Sequence, residues 1–90
     1  MNRLILFGTN DCPDCIVQKE ILSDAFEDDQ WEFVDIDSNY DLDQEIMAKY
    51  DINDPPTLLI IQKKKSGSDR VFRHVGIISA SKINKFLKMI

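Results

Sequence analysis

Four consecutive apolar residues, Leu4-Ile5-Leu6-Phe7, lie near the start of the chain and are followed by Gly8. A strand with one face in water alternates apolar and polar residues, whereas an uninterrupted apolar run suits a strand that is buried on both faces. Other segments of the chain must therefore cover this strand from both sides.

The segment after this strand changes from an extended to a helical pattern. A polar loop, residues 9–11, leads into Cys12-Pro13-Asp14-Cys15. Pro13 suits the first turn of a helix, where its missing N–H costs nothing, and Asp14 complements the positive end of the helix dipole. The apolar residues that follow form a stripe at helical spacing, which we expect to face the core: Ile16, Val17, Ile21, Leu22, Ala25 and Phe26.

Residues 31–37 alternate apolar and acidic side chains and predict a second strand. A second helix is predicted to begin at a cap formed by Asp41 or Asp43 and to run through Tyr50. Its inward-facing residues are expected to be Leu42, Ile46, Met47 and Tyr50.

Two further strands follow a break in the chain at Pro55-Pro56. Residues 57–61 are apolar and predict a buried strand. Residues 62–69 are predicted to turn, and residues 70–75 to run back as a strand that Gly76 ends.

The last segment, residues 79–90, is predicted to be a helix capped by Ser79 or Ser81. Its apolar positions are Ile83, Phe86, Leu87 and Ile90. The order of elements is β-α-β-α-β-β-α in a single domain over residues 1–90. The first two strands should be parallel and the last two antiparallel, which predicts an α/β fold with a four-stranded mixed sheet flanked by three helices. Chemistry in such sheets gathers at the carboxyl ends of strands, where Cys12 lies.

The composition argues against several classes of function. The formal charge is −5, from 16 acidic against 11 basic residues, and a nucleic-acid partner would need clustered lysine and arginine. No apolar run approaches the length that spans a bilayer, and residues 1–8 are too short for a signal peptide. We therefore expect a cytoplasmic monomer that binds neither nucleic acid nor membranes.

Cys12 and Cys15 are the only cysteines, and their spacing indicates redox chemistry. A disulfide between residues three apart would cross-link almost nothing, and a zinc site needs four ligands, for which only His74 could add a third soft one. A helix N-terminus favours the thiolate, which is the nucleophile. We predict that Cys12 attacks a target disulfide and that Cys15, one turn further on, resolves the mixed disulfide.

Several stretches of the sequence resemble the thioredoxin-like superfamily, and they span essentially the whole chain. Phe7-Gly8, followed after three residues by Cys12-Pro13-Asp14-Cys15, resembles the start of a glutaredoxin, whose usual motif is Cys-Pro-Tyr-Cys. Residues 54–61 resemble the proline–threonine strand of thioredoxin, and Val75-Gly76 before the last helix also matches thioredoxin. The resemblance implies a thioredoxin fold and a thiol–disulfide oxidoreductase that carries electrons in cellular redox homeostasis. The resemblance also implies that the protein needs no cofactor or metal, since the Cys12–Cys15 disulfide itself is the redox-active group.

The resemblance also implies a substrate-binding edge beside the cysteines. Pro56 takes the place of the family's cis-proline, which faces the cysteines, and Gly76 is expected to let a substrate backbone approach closely. The expected substrate-binding residues are Asp11, Pro13, Asp14, Pro55, Pro56, Thr57 and Gly76.

The sequence departs from the thioredoxin pattern at some positions and from the glutaredoxin pattern at others. Leu6 stands where thioredoxin usually has a buried aspartate, and Asp11 where it has a tryptophan. Residues 76–79 lack the second glycine and the aspartate with which glutaredoxins hold glutathione. The carboxylates of Asp11, Asp14 and Asp54 should repel glutathione, which itself carries two carboxylates. We therefore expect a thioredoxin-like reductant of protein disulfides whose own Cys12–Cys15 disulfide is reduced again by a disulfide reductase.

Two alternatives stay open at this point. The chain could be a glutaredoxin that takes its electrons from glutathione. It could also be a binding module in which Cys12 and Cys15 of two chains hold an iron–sulfur cluster or zinc.

Overall fold

The first strand, β1 (Asn2–Gly8), lies inside the sheet and is covered on both faces. Its side chains alternate, so that Leu4 and Leu6 enter one hydrophobic core while Ile5 and Phe7 enter a second. The prediction of a strand buried on both faces is confirmed.

The elements follow the predicted order, with one additional 3-10 turn (Asp28–Gln30) before the second strand. The structure, a computed structural model, describes residues 2–65 and 67–88. The bounds of the remaining elements are α1 (Pro13–Ala25), β2 (Trp31–Asp35), α2 (Asp41–Lys49), β3 (Thr57–Lys63), β4 (Asp69–Val75) and α3 (Ala80–Lys88).

The sheet has the strand order β2-β1-β3-β4, which confirms the predicted four-stranded mixed sheet. β1 is parallel to β2 and antiparallel to β3, and β3 is antiparallel to β4. In this register Phe7 lies opposite Thr57, and Thr57 lies opposite Val75. The loop that follows β1, the loop that precedes β3 and the turn that follows β4 therefore meet at one edge of the sheet.

Two hydrophobic cores attach the three helices to the sheet. The first lies on the side of α1 and α3, and its buried members are Leu4, Leu6, Leu22, Leu58, Ile60, Ile78 and Ile83. The second lies on the side of α2, and its buried members are Ile5, Phe7, Val34, Ile52, Leu59 and Ile61. Each fully buried side chain of this kind stabilises the fold by about 1.5–3 kcal/mol relative to an exposed one.

The inward face of α1 differs from the predicted stripe. Ile16 and Val17 are 47% and 42% exposed, and Ala25 is exposed as well. The buried residues of the helix are Cys15, Gln18 and Leu22. These positions also share one helix face. A search for apolar residues at helical spacing did not include Cys15 and Gln18.

Helix α2 begins without the predicted carboxylate cap. Its cap position is Tyr40, whose side chain makes no capping hydrogen bond. Ser38 Oγ accepts a hydrogen bond from the Tyr40 N–H at 3.1 Å and donates one to Asp43 Oδ2 at 2.8 Å. Asp43 therefore orients the serine that binds the chain just before the helix, and Asp41 is simply the first helical residue.

Three of the four inward residues predicted for α2 are confirmed, because Ile46, Met47 and Tyr50 pack against the second core. Leu42 is 61% exposed. It lines a surface groove beside Ile46 and Tyr50 instead of entering the core.

The strand ends and the last helix also refine the prediction. β3 continues to Lys63, so Gln62 is buried where a turn was expected. Lys63 pairs with Asp69 in the ladder and forms a 3.2 Å ion pair with it, which extends the hairpin beyond its apolar residues. Ser79 is the cap of α3, because its Oγ accepts the N–H of Lys82 at 3.3 Å. The predicted apolar position Ile90 lies outside the described residues.

Candidate active site

Cys12 lies where the loop after β1 enters helix α1. It is the cap residue of the helix, with an extended backbone (φ −87°, ψ 115°), and Pro13 follows in the first turn. Its Sγ accepts a hydrogen bond from the backbone N–H of Cys15 at 3.3 Å, the position that a hydroxyl or carboxylate oxygen takes in an ordinary cap. The unpaired N–H groups and the dipole of α1 are therefore placed to stabilise negative charge that develops on this sulfur.

The two thiols, both free in the structure, differ in exposure and in chemistry. Cys12 is half-buried, whereas Cys15 is 0% exposed. Burial is the largest cause that raises the pKa of Cys15 from 9.0 to about 11, and its contact with the Cys12 side chain raises it further. A backbone hydrogen bond from Thr9 and the positive charge of Lys19 act in the opposite direction. The Cys15 thiol is therefore protonated at neutral pH.

Gly8, at the end of β1, allows the strand and the helix to come this close. A Cβ atom at position 8 would lie 2.7 Å from Cys15 Sγ, 3.2 Å from Cys15 Cβ and 3.3 Å from the ring of Phe33. The shortest of these distances is well inside van der Waals contact, and Cys15 is fully enclosed. Sequence reasoning identified Gly8 only as the end of a strand. Position 8 requires glycine because Cys15 Sγ packs against it.

Lys19 is a second residue that sequence reasoning missed. Its Nζ lies 3.7 Å from the centre of the Phe33 ring and 3.4 Å from Asn10 Oδ1, which directs the ammonium group toward the β1–α1 loop. This charge lowers the pKa of Cys15 and so favours its thiolate. The sequence signal that could have identified Lys19 is its spacing from Cys15, because residues four apart lie on the same helix face. On the neighbouring strand, Leu6 is fully buried in the first core, so position 6 contributes no carboxylate to this region.

The loop before β3 meets the cysteine loop through the sheet register. Pro55 is exposed and Pro56 is buried, and the peptide bond between them is cis, as the family resemblance implied. Thr57 is fully buried, and its hydroxyl donates a hydrogen bond to the carbonyl of Asp54. Its side chain therefore holds the turn that precedes β3.

Gly76 adjoins the same edge, at the end of β4. Its N–H donates to the carbonyl of Pro56 at 2.8 Å. Its φ of +96° lies in the region that favours glycine. Apart from the glycine and its two chain neighbours, no atom of the described residues lies within 4 Å of the position that a Cβ would occupy. The backbone at Gly76 therefore borders open space beside the cis-proline.

Acidic and apolar side chains surround this edge. Asp11, Asp14 and Asp54 are all exposed, and Asp14 lies in the first turn of α1. Exposed apolar residues occur among them: Ile16, Val17 and Ile77. The exposed surface near Cys12 is therefore both negatively charged and partly apolar.

Other features of the described residues lie away from the cysteines. A groove of about 350 Å³ lies at the opposite end of β1, and its lining includes Arg3, Leu42 and Lys63. Within residues 2–65 and 67–88, no three His, Cys, Asp or Glu side chains converge in a way that could hold a metal ion. None of the described helices has the length and apolar character needed to cross a membrane.

Comparison with known proteins identifies the fold. No protein-family model and no curated protein matches the sequence. Among solved structures, chloroplastic thioredoxin z is 23% identical, with a TM-score of 0.74, covering 97% of this chain and 75% of that one. A thioredoxin-like protein from Clostridium perfringens is 22% identical, with a TM-score of 0.71, covering 97% of this chain and 68% of that one.

A third similar structure is the oxidised C-terminal domain of Neisseria meningitidis DsbD. It is 16% identical, with a TM-score of 0.65, covering 97% of this chain and 78% of that domain. The structural neighbours of this chain are thus thioredoxin-like proteins, and the chain has the thioredoxin fold. The fold implied by the sequence resemblance is confirmed.

The close contact at Gly8 can be tested by adding one methyl group. Gly8→Ala should lower the free energy of unfolding of the reduced protein by about 1–3 kcal/mol, the usual cost of overpacking a filled site. Gly8 is not among the positive-φ glycines, so the cost comes from the sulfur contact and not from backbone strain. Urea unfolding of the reduced wild type and the variant measures the difference.

A double-mutant cycle with Cys15→Ala controls this prediction. Without the sulfur, the 2.7 Å contact is gone, and the 3.2 Å contact to the Cβ of residue 15 and the 3.3 Å contact to the Phe33 ring remain. Gly8→Ala should therefore cost about half as much, or less, in the Cys15→Ala background. An equal cost in both backgrounds would contradict the proposed contact.

The raised pKa of Cys15 predicts a pH dependence of stability for the reduced protein. Because the folded chain holds this proton more tightly than the unfolded chain, the stabilisation is complete below pH 9.0 and is lost as the pH rises toward about 11. The free energy of unfolding of the dithiol form should fall over this interval more steeply than that of Cys15→Ala, measured by urea unfolding. Parallel curves for the two proteins would show that Cys15 titrates as it does in the unfolded chain.

Proposed function

We propose that this chain is a thiol–disulfide oxidoreductase that reduces disulfide bonds in other proteins. The observation that carries the proposal is the unequal placement of two sulfurs in contact. Cys12 is half-buried at the start of a helix, and Cys15 is fully buried one turn further on. The thioredoxin fold of the chain supports the same chemistry.

Reduction of a substrate proceeds through two exchange steps. In the first, the Cys12 thiolate attacks one sulfur of the substrate disulfide. The substrate S–S bond breaks, a disulfide between Cys12 and the substrate forms, and the departing thiolate takes up a proton. In the second, Cys15 attacks Cys12 Sγ, and its thiol proton goes to the departing second sulfur of the substrate. The substrate gains two electrons, and Cys12 and Cys15 are left joined by a disulfide.

The environment of each sulfur suits its role. Cys12 has the exposure and the helix N-terminus that an attacking thiolate needs. Burial raises the pKa of Cys15 to about 11, so Cys15 has much less thiolate at neutral pH than an ordinary thiol, and it also shields this sulfur from substrates. The charge of Lys19 favours loss of the Cys15 proton when the mixed disulfide must be resolved.

The surface around Cys12 supports a protein as the substrate. Exposed apolar side chains, among them Ile16 and Ile77, can cover part of a protein surface. The open backbone at Gly76 leaves room for an extended segment next to the cis-proline. Asp11 and Asp14 place negative charge where the two carboxylates of glutathione would approach.

The oxidised protein must recover its two electrons. We propose that a thioredoxin-reductase-like enzyme returns them, with glutathione as the alternative donor. We further propose that the chain works as a monomer in a reducing compartment such as the cytoplasm, where a dithiol persists.

Insulin reduction tests the proposal. With dithiothreitol as the electron source, the wild type should accelerate the precipitation of insulin chains. Cys12→Ser should abolish the acceleration, and Cys15→Ser should reduce it by about tenfold or more, because the mixed disulfide then waits for an external thiol. No acceleration by the wild type would refute the proposed function.

A parallel assay with glutathione distinguishes the two electron donors. Reduction of a glutathione mixed disulfide, coupled to glutathione reductase, should be at least about tenfold slower than for a glutaredoxin of the Cys-Pro-Tyr-Cys type, because like charges slow the approach of glutathione. Rapid turnover would instead identify a glutaredoxin.

A further inference from the structure

Gln18 is a polar side chain that the exchange mechanism does not use, yet it is 0% exposed. It lies on the inward face of α1, one turn after Cys15. Its Nε2 donates to the carbonyl of Ile78 at 3.0 Å, and its Oε1 accepts the N–H of Ile78 at 2.7 Å. Both ends of the amide thus bind the backbone of a single residue 60 positions away. A buried amide is satisfied only when both of its groups find partners.

Ile78 belongs to the connection between β4 and α3, residues 76–79. The side chain of Ile78 is buried in the first core with Leu22, whereas Ile77 is 42% exposed. The carbonyl of Ile77 lies 3.3 Å from Nε2 of His74. The segment is therefore fixed at Ile78 and presents Ile77 to the outside.

The same segment is hydrogen-bonded to the cis-proline loop. The N–H of Gly76 donates to the carbonyl of Pro56 at 2.8 Å. A continuous path of hydrogen bonds and backbone consequently runs from α1, through Gln18 and residues 76–78, to Pro56. The helix that carries both cysteines and the edge beside them are held as one unit.

We propose that Gln18 is a positioning residue that sets the distance between the cysteines and residues 76–78, and so determines how tightly an extended protein segment binds there. The inference rests on the proposed function, because it concerns the substrate of that same site. Gln18 acts without touching the substrate or the reacting sulfurs. Its effect passes through the backbone of Ile78.

Gln18→Met removes both polar atoms and keeps a side chain of similar length. In dithiothreitol-driven reduction of insulin, the KM of this variant should rise about fivefold or more, while kcat stays within about twofold of the wild type. The reaction of Cys12 with a small aromatic disulfide such as dithionitrobenzoate should keep its rate within about twofold, since that reagent has no chain to lie along residues 76–78.

Val34→Ala is the matched control, because it opens a cavity in the second core on β2 and leaves the contact between Gln18 and Ile78 intact. It should destabilise the protein without changing the KM. A KM for Gln18→Met within twofold of the wild type would overturn the inference. An equal rise of the KM in Val34→Ala would also overturn it, because the effect would then follow stability alone.

Amide hydrogen exchange at Gly76 tests the positioning claim without any turnover. Gln18→Met should speed exchange of this amide about tenfold or more relative to Val34→Ala, because the segment 76–78 loses its anchor. Unchanged Gly76 exchange would refute the inference even if insulin is reduced. Failure of the wild type to reduce insulin would refute the proposed function, while the exchange result still decides whether Gln18 positions the segment.

Discussion

The packing of α1 against the carboxyl end of β1 brings the helix close enough for a sulfur to touch the strand. A side chain at position 8 would place its first carbon 2.7 Å from Cys15 Sγ, so only glycine fits there. Because β1 is buried on both faces by two hydrophobic cores, the strand cannot withdraw to make room. The helix start, and with it Cys12, is thereby held at the edge where the cis-proline loop and Gly76 also meet.

This close packing makes two chemically similar residues unequal. Cys15 faces the strand and loses contact with water, which raises its pKa. Cys12, one turn earlier, caps the helix and remains accessible. Leu6 is buried in the first core at the position where the resemblance to thioredoxin would place an aspartate, and the ammonium group of Lys19 acts on the buried thiol from the same helix as that thiol. A cation favours the thiolate by charge alone, whereas a carboxylate could also accept its proton.

Local patterns in the sequence were sufficient for the order of elements and for the placement of the two cysteines at the start of a helix. The run from Leu4 to Phe7 predicted a strand covered on both faces, and the proline after Cys12 predicted the start of a helix. The features that were missed depend on contacts between distant segments. Gln18 faces inward because its amide forms hydrogen bonds with the backbone of Ile78, which lies 60 residues further along the chain. Position 8 requires glycine because Cys15 Sγ, on helix α1, packs against it. Neither contact leaves a periodic signal in the sequence, since a polar residue and a strand-ending glycine each have a more common explanation.

In the proposed mechanism Cys12 attacks the substrate disulfide and Cys15 only resolves the mixed disulfide. Trapping the covalent intermediate shows which sulfur attacks. Cys15→Ser and Cys12→Ser, each with a single thiol, are incubated at neutral pH with a disulfide-linked peptide, and the adducts are mapped by mass spectrometry. We expect Cys15→Ser to accumulate a mixed disulfide on Cys12, whereas Cys12→Ser should stay unmodified because its remaining thiol is buried and protonated. A mixed disulfide on Cys15 that forms at a comparable rate would contradict it.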